Sequence, residues 1–132
     1  MGIIANSRVN TLTQAWGGEV QSGSHLYLTD KPESLGGQDR GPAPYDFITA
    51  GLASCTMITL RMYAAHKDIE LGEFSVEVDF YSNNAQQEYI ERRVHFVHPL
   101  DAVLAEKILE ICGKTPVTKT LLRSVEIHTT LV

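Results

Sequence analysis

From Pro44 to His66 the chain runs through apolar and small residues with few breaks: Phe47, Ile48, Leu52, Ala53, Met57, Ile58, Leu60, Met62 and Tyr63. Pro44 suits a helix first turn, because its φ is fixed and it lacks an N–H. Asp46 then places negative charge near the positive end of the helix dipole. A helix that is apolar on nearly every side must be covered on most of them. A chain of 132 residues has the length of one domain and can hardly wrap such a helix alone. The pattern therefore implies a partner subunit.

The segments around this helix set the fold class. Turn formers crowd the N-terminal third (Gly17-Gly18, Ser22-Gly23-Ser24, Gly36-Gly37, Gly41-Pro42). Between them Val9 to Ala15, Glu19 to Gln21 and His25 to Leu28 read as short strands, followed by an exposed polar loop from Asp30 to Arg40. Phe74, Val76, Val78 and Phe80 alternate with Ser75, Glu77 and Asp79, the pattern of a half-buried strand. Ser82-Asn83-Asn84 turns the chain into a second strand, Tyr89 to His98. Pro99-Leu100-Asp101 opens an amphipathic helix carrying Val103, Leu104, Ile108, Ile111 and Cys112, with Gly113 as its C-cap. Pro116 starts a further helical turn, and Val125 to Leu131 reads as a last strand. The order βββ-α-ββ-α-β predicts a single α+β domain over residues 1–132, with antiparallel sheets around the long apolar helix.

Composition removes several functions. The net charge is −5 with no Lys/Arg cluster, which gives no electrostatic footprint for nucleic acid and none for an anionic membrane. The opening MGIIANSRVN lacks the basic and apolar regions of a signal peptide, and Asn6 breaks the myristoylation pattern. No unbroken apolar run reaches the ~20 residues that span a bilayer. These features predict a cytoplasmic protein whose thiols rest reduced. His25, His66, His95, His98 and His128 are scattered, and His95 and His98 on a strand point to opposite faces, so no metal site is expected. No P-loop or Gly-x-Ser-x-Gly elbow occurs, Gly36-Gly37…Gly41 lacks the dinucleotide fingerprint, and no cofactor is expected.

The remaining candidates for chemistry are the two cysteines, Cys55 and Cys112. Cys55 lies inside the apolar helix, where a free cysteine packs as a small hydrophobe. Its neighbours Ala53, Ser54 and Thr56 are small, which leaves access to the sulfur. Cys112 precedes Gly113 at the negative end of its helix, where the dipole opposes a thiolate. Taken alone, it reads as core.

The segments GGQDRGPAPYDFITAGLASCTMITLRMYA and LAEKILEICGKTPVTKTLL resemble the OsmC/Ohr family of thiol-dependent peroxidases. There the first motif runs Gly-x-x-x-Gly-Pro-Ser-Pro-Tyr-Glu to Gly-Ser-Cys-Thr, and the second runs Ile-Ala-x-Lys-Cys-Pro-Val-His-Lys-Thr-Leu. The resemblance implies an intertwined homodimer with active sites at its interface, reducing organic hydroperoxides. It makes Cys55 the thiol that attacks the O–O bond and becomes a sulfenic acid. A second thiol then condenses with it, and an external dithiol reduces the disulfide. Such chemistry requires a thiolate stabilised by a cation or hydrogen-bond donors. In one branch a Glu ten residues before the cysteine orients an Arg. Here that slot holds Tyr45, and Asp46 follows as a shorter carboxylate or as a helix-start charge. Arg40 and Arg8 are candidates for the Arg, each with the alternative of a solvated surface charge.

This chain departs from the family pattern at the resolving position, where Thr115 stands in place of cysteine, and at Thr118, which replaces a frequent histidine. Cys112 lies three residues earlier, about 4.5 Å of rise and 60° of rotation on a helix. A disulfide needs Cα atoms about 4.4–6.8 Å apart. Three readings follow. In the first, Cys55 and Cys112 form a two-cysteine hydroperoxide reductase. In the second, Cys55 is resolved by an external thiol. In the third, the chain is a non-catalytic dimer that binds an apolar or electrophilic small molecule.

Overall fold

A computed structural model describes residues 1–132. The chain forms two compact units, residues 1–48 and 49–132. Taken together, the elements of the chain are those of the α+β class, antiparallel sheets and helices.

The first unit is built on a three-stranded antiparallel meander, β1 (Ser7–Thr11), β2 (Gly18–Ser22) and β3 (His25–Thr29). Val20 pairs with Val9 on one side and Tyr27 on the other. The polar segment after β3 is pinned from within. Asp30 is buried, and its carboxylate accepts N–H bonds from Lys31 (2.7 Å), Gln38 (3.2 Å) and Arg40 (3.4 Å). That carboxylate organises a loop containing one 3-10 turn, Glu33–Leu35. Two glycines permit the close passage of the chain. A Cβ at Gly37 would stand 1.9 Å from the Lys31 carbonyl oxygen, and one at Gly41 would stand 1.9 Å from that of Leu28. The glycine spacing that marks this motif is therefore set by backbone lying against backbone.

Helix α1 (Pro44–Lys67) begins in the first unit, where Phe47 contacts Tyr27 at 5.8 Å between ring centroids. It is 24 residues long with a mean hydropathy of 1.2 over its most apolar 18-residue window, so by length and composition alone it could cross a bilayer. Core helices of soluble proteins pass the same test, and Thr, Ser and Gly break the apolar run of α1 into short pieces. In the second unit one stripe of α1 is buried, namely Leu52, Thr56, Leu60 and Ala64, at a spacing of four. Leu60 and Ala64 of this stripe form a core with Leu71, Ile108 and Cys112, flanked by Tyr63, Phe74, Val94, Phe96 and Leu104.

The rest of the second unit is the antiparallel pair β4 (Phe74–Ser82) and β5 (Glu88–Phe96), then α2 (Ala102–Cys112) and α3 (Pro116–Leu121). The turn between the strands is held by Asn83, whose side-chain oxygen accepts from Ala85 N and Gln87 N. Along β5, Ile90, Arg92, Val94 and Phe96 are half-buried, while Glu91, Arg93 and His95 are exposed. Asp101 caps α2 by accepting from Leu104 N at 2.8 Å. Gly113 stands at the C-cap as expected, but in a right-handed conformation (φ −72°), since the chain continues directly into α3. Thr115, fully buried, is the N-cap of α3, and Pro116 opens it.

The strand expected over Val125 to Leu131 does not form. The segment after α3 has no ladder, and Val125, Ile127 and Leu131 are exposed. A strand needs a hydrogen-bond partner along its length, and the single chain supplies none here.

Candidate functional site

Helical geometry separates the two faces of α1. Cys55 immediately precedes the buried Thr56 and is rotated about 100° from it, which leaves the sulfur half-buried. Its thiol lies 3.9 Å from the Thr59 hydroxyl, one turn on. One turn back is Gly51, where an added Cβ would meet no atom within 4 Å. The line Gly51–Cys55–Thr59 thus faces open space, and Ile58 and Met62 beside it are exposed at 51% and 67%. In the single chain, small residues line this side of α1, with the apolar side chains of Ile58 and Met62 beside them.

Cys112 has a different environment. It is the last residue of α2, only 5% exposed, and belongs to the hydrophobic core. Burial pushes its thiol above the ordinary range, and the nearby Arg92 guanidinium opposes this in part. Both cysteines are free thiols. The structure places one on an open face and the other inside the core.

The remaining predicted site residues belong with the first unit. Asp46 sits in the first turn of α1, where its Oδ2 accepts the Ala43 N–H at 2.8 Å, a helix-start role. Arg40 lies at the end of the pinned loop and gives its backbone N–H to Asp30. Arg8 is on β1 and exposed.

One residue was missed by the sequence reading. Arg92, at the centre of β5, faces inward and joins three helices through neutral oxygens. Its Nη1 donates to the Thr56 hydroxyl (3.0 Å) and the Thr118 hydroxyl (2.9 Å), and its Nη2 donates to the Cys112 carbonyl (2.7 Å). Thr118 also bonds the Thr115 hydroxyl at 2.6 Å. The neighbouring Arg93 instead points outward into carboxylates, with Glu77, Asp79 and Glu91 about it. A signal for Arg92 was present in the alternation Ile90-x-Arg92-x-Val94-x-Phe96, which sets a cation on an apolar strand face.

The model of the OsmC-like protein family matches residues 36–130, most of the chain. The chain belongs to the OsmC-like family. No curated protein matches its sequence. Solved OsmC-like structures share its fold at low identity. A Psychrobacter arcticus protein has a TM-score of 0.75 at 18% identity, covering 91% of this chain and 90% of the other. The OsmC-like protein of Mycoplasma pneumoniae gives 0.71 at 17%, covering 92% and 89%. An organic hydroperoxide resistance protein OsmC of Legionella pneumophila gives 0.69 at 17%, covering 90% and 89%. Cys55 lies within the matched range on α1, and Thr115 is the buried N-cap of α3.

Proposed function

We propose that this OsmC-like protein is a thiol-dependent peroxidase that reduces organic hydroperoxides, with Cys55 attacking and an external thiol resolving. The observation that carries the reading is the contrast between the two sulfurs. Cys55 lies on an open face beside Gly51, whereas Cys112 is 5% exposed and held as a neutral thiol by burial. Of the three readings in the sequence, this contrast favours resolution from outside over an internal disulfide.

The chemistry balances as follows. The Cys55 thiolate attacks one peroxide oxygen, an S–O bond forms, the O–O bond breaks, and the alkoxide takes a proton to leave as alcohol. An external thiol then displaces hydroxide from the sulfenic sulfur, which leaves as water after protonation. A second thiol attacks the mixed disulfide, freeing Cys55 and releasing the oxidised reductant. Such reductants are available in the cytoplasm, where we place the protein. Arg40 and Asp46 are retained as candidates for stabilising the thiolate. The exposed Ile58 and Met62 on α1 favour a homodimer through this helix.

The reading is tested with one equivalent of cumene hydroperoxide. Trapping with dimedone followed by mass spectrometry should find the label on Cys55. Cys55→Ser should abolish turnover, while Cys112→Ser should keep it with a monothiol or dithiol reductant. Loss of turnover in Cys112→Ser, or an intramolecular Cys55–Cys112 link, would refute the external resolver. A Cys55 inert to peroxide would leave a binding protein on the same scaffold.

A further inference from the structure

We infer that the second unit carries a binding site for small organic carboxylates with an apolar body, anchored on Arg92 and separate from the Cys55 thiol. Arg92 is half-buried and pairs with no carboxylate: its three hydrogen bonds go to two threonine hydroxyls and one carbonyl. Neutral partners could equally satisfy an amide side chain. A cation partly withdrawn from water with no counter-charge raises the free energy of the fold unless an anion joins it.

A guanidinium has five N–H donors, and three are used here. The remaining two are Nε–H and the second Nη2–H, which can lie on one edge of the group and grip both oxygens of a carboxylate. No fully buried side-chain nitrogen lacks a partner, so Nε, which makes none of these three bonds, is not sealed from solvent.

The cavities beside it supply the rest of the site. Two clefts share Ile90 and Arg92. The larger, about 590 Å³, runs between β5 and α2 along Val94, Phe96, Leu100 and Ile108 and ends at Cys112. The smaller, about 170 Å³, is bounded by Leu52, Leu121 and Leu122. The larger falls in the ~300–1,000 Å³ range of small-molecule sites. An apolar cleft with one charged group in its wall selects a molecule with one charged end, and the sign here is negative. Cys55 lines neither cleft, so the inference goes beyond the peroxidase reading and does not depend on it.

The experiment is calorimetric titration of the intact protein at fixed salt with octanoate, octanamide and octylammonium. Octanoate should bind at least tenfold more tightly than the other two. Arg92→Gln should remove that preference, and Arg92→Lys, which keeps the charge but loses the fork, should retain part of it. Bound octanoate should leave the rate of Cys55 alkylation unchanged. Equal binding of octanoate and octanamide by the unaltered protein would overturn the proposal without any variant having to fold. So would octanoate binding that Arg92→Gln leaves intact, or octanoate that protects Cys55.

Discussion

Replacing Thr56 by Val removes one hydroxyl from a fully buried position and changes little else in shape. That hydroxyl accepts from Arg92 Nη1 at 3.0 Å and donates to the Leu52 carbonyl at 2.7 Å. The Leu52 carbonyl keeps its ordinary helix bond from the Thr56 N–H, so Arg92 is the group left short of an acceptor. A hydrogen bond to a charged group is worth ~1.5–3 kcal/mol, and Thr56→Val should cost about that. Thr56→Ser is the opposite control: it keeps the hydroxyl and deletes a methyl group, for ~1 kcal/mol. With an unfolding entropy of ~2.1 cal/mol/K per residue, each 1 kcal/mol lowers the Tm of a chain this size by ~3–4 °C. Calorimetry at one protein concentration should therefore rank the unaltered protein first, Thr56→Ser next and Thr56→Val last, ~5–10 °C below the first. A valine variant as stable as the serine variant would show that Arg92 does not depend on this acceptor, and the three-helix clamp would lose its energetic meaning.

Two further outcomes follow from the structure. Gly41→Ala should lower Tm by several degrees and raise proteolytic cleavage within residues 31–40. Its Cβ would meet the Leu28 carbonyl at 1.9 Å, so backbone must move; an alanine variant with unchanged Tm and cleavage would contradict this packing. Burial raises the Cys112 thiol above its ordinary range. Between the unfolded and folded values the native state binds more protons, so stability falls as pH rises through that window. Denaturant titrations from pH 8 to pH 10.5 should show the decline reduced in Cys112→Ala, and equal slopes in both proteins would refute the assignment.

Much of this fold could be read from the chain alone, because hydrophobic period and turn chemistry act locally. The alternation from Phe74 to Phe80, the Asp101 cap and the Pro116 helix start all depend on neighbours within a few residues. What escaped depends on distant partners. Asp30 looks like an ordinary loop residue until its carboxylate is seen collecting N–H groups from as far as Arg40. Val125 to Leu131 has the composition of a strand but finds no ladder in the single chain. For the site, Cys55 stood out as a candidate because the segment around it is contiguous. Arg92 was overlooked because charge on a strand is read by default as a solvated face, although its even-numbered neighbours were all apolar.

Under the proposed reading, Thr115 sets folding against turnover. The position where related motifs carry a second cysteine is, in this chain, the first anchor of α3: its hydroxyl accepts the Thr118 N–H and is sealed from solvent. Threonine is a favoured residue for that duty, worth ~1 kcal/mol over a side chain that cannot accept the bond. A thiol accepts only weakly, so a cysteine there would keep an oxidisable group at the cost of a looser helix start. The hydroxyl makes the opposite choice. Under the proposed reading, each catalytic cycle then runs at a pace fixed by how often a reductant arrives, and the oxidised protein is exposed for as long as that takes.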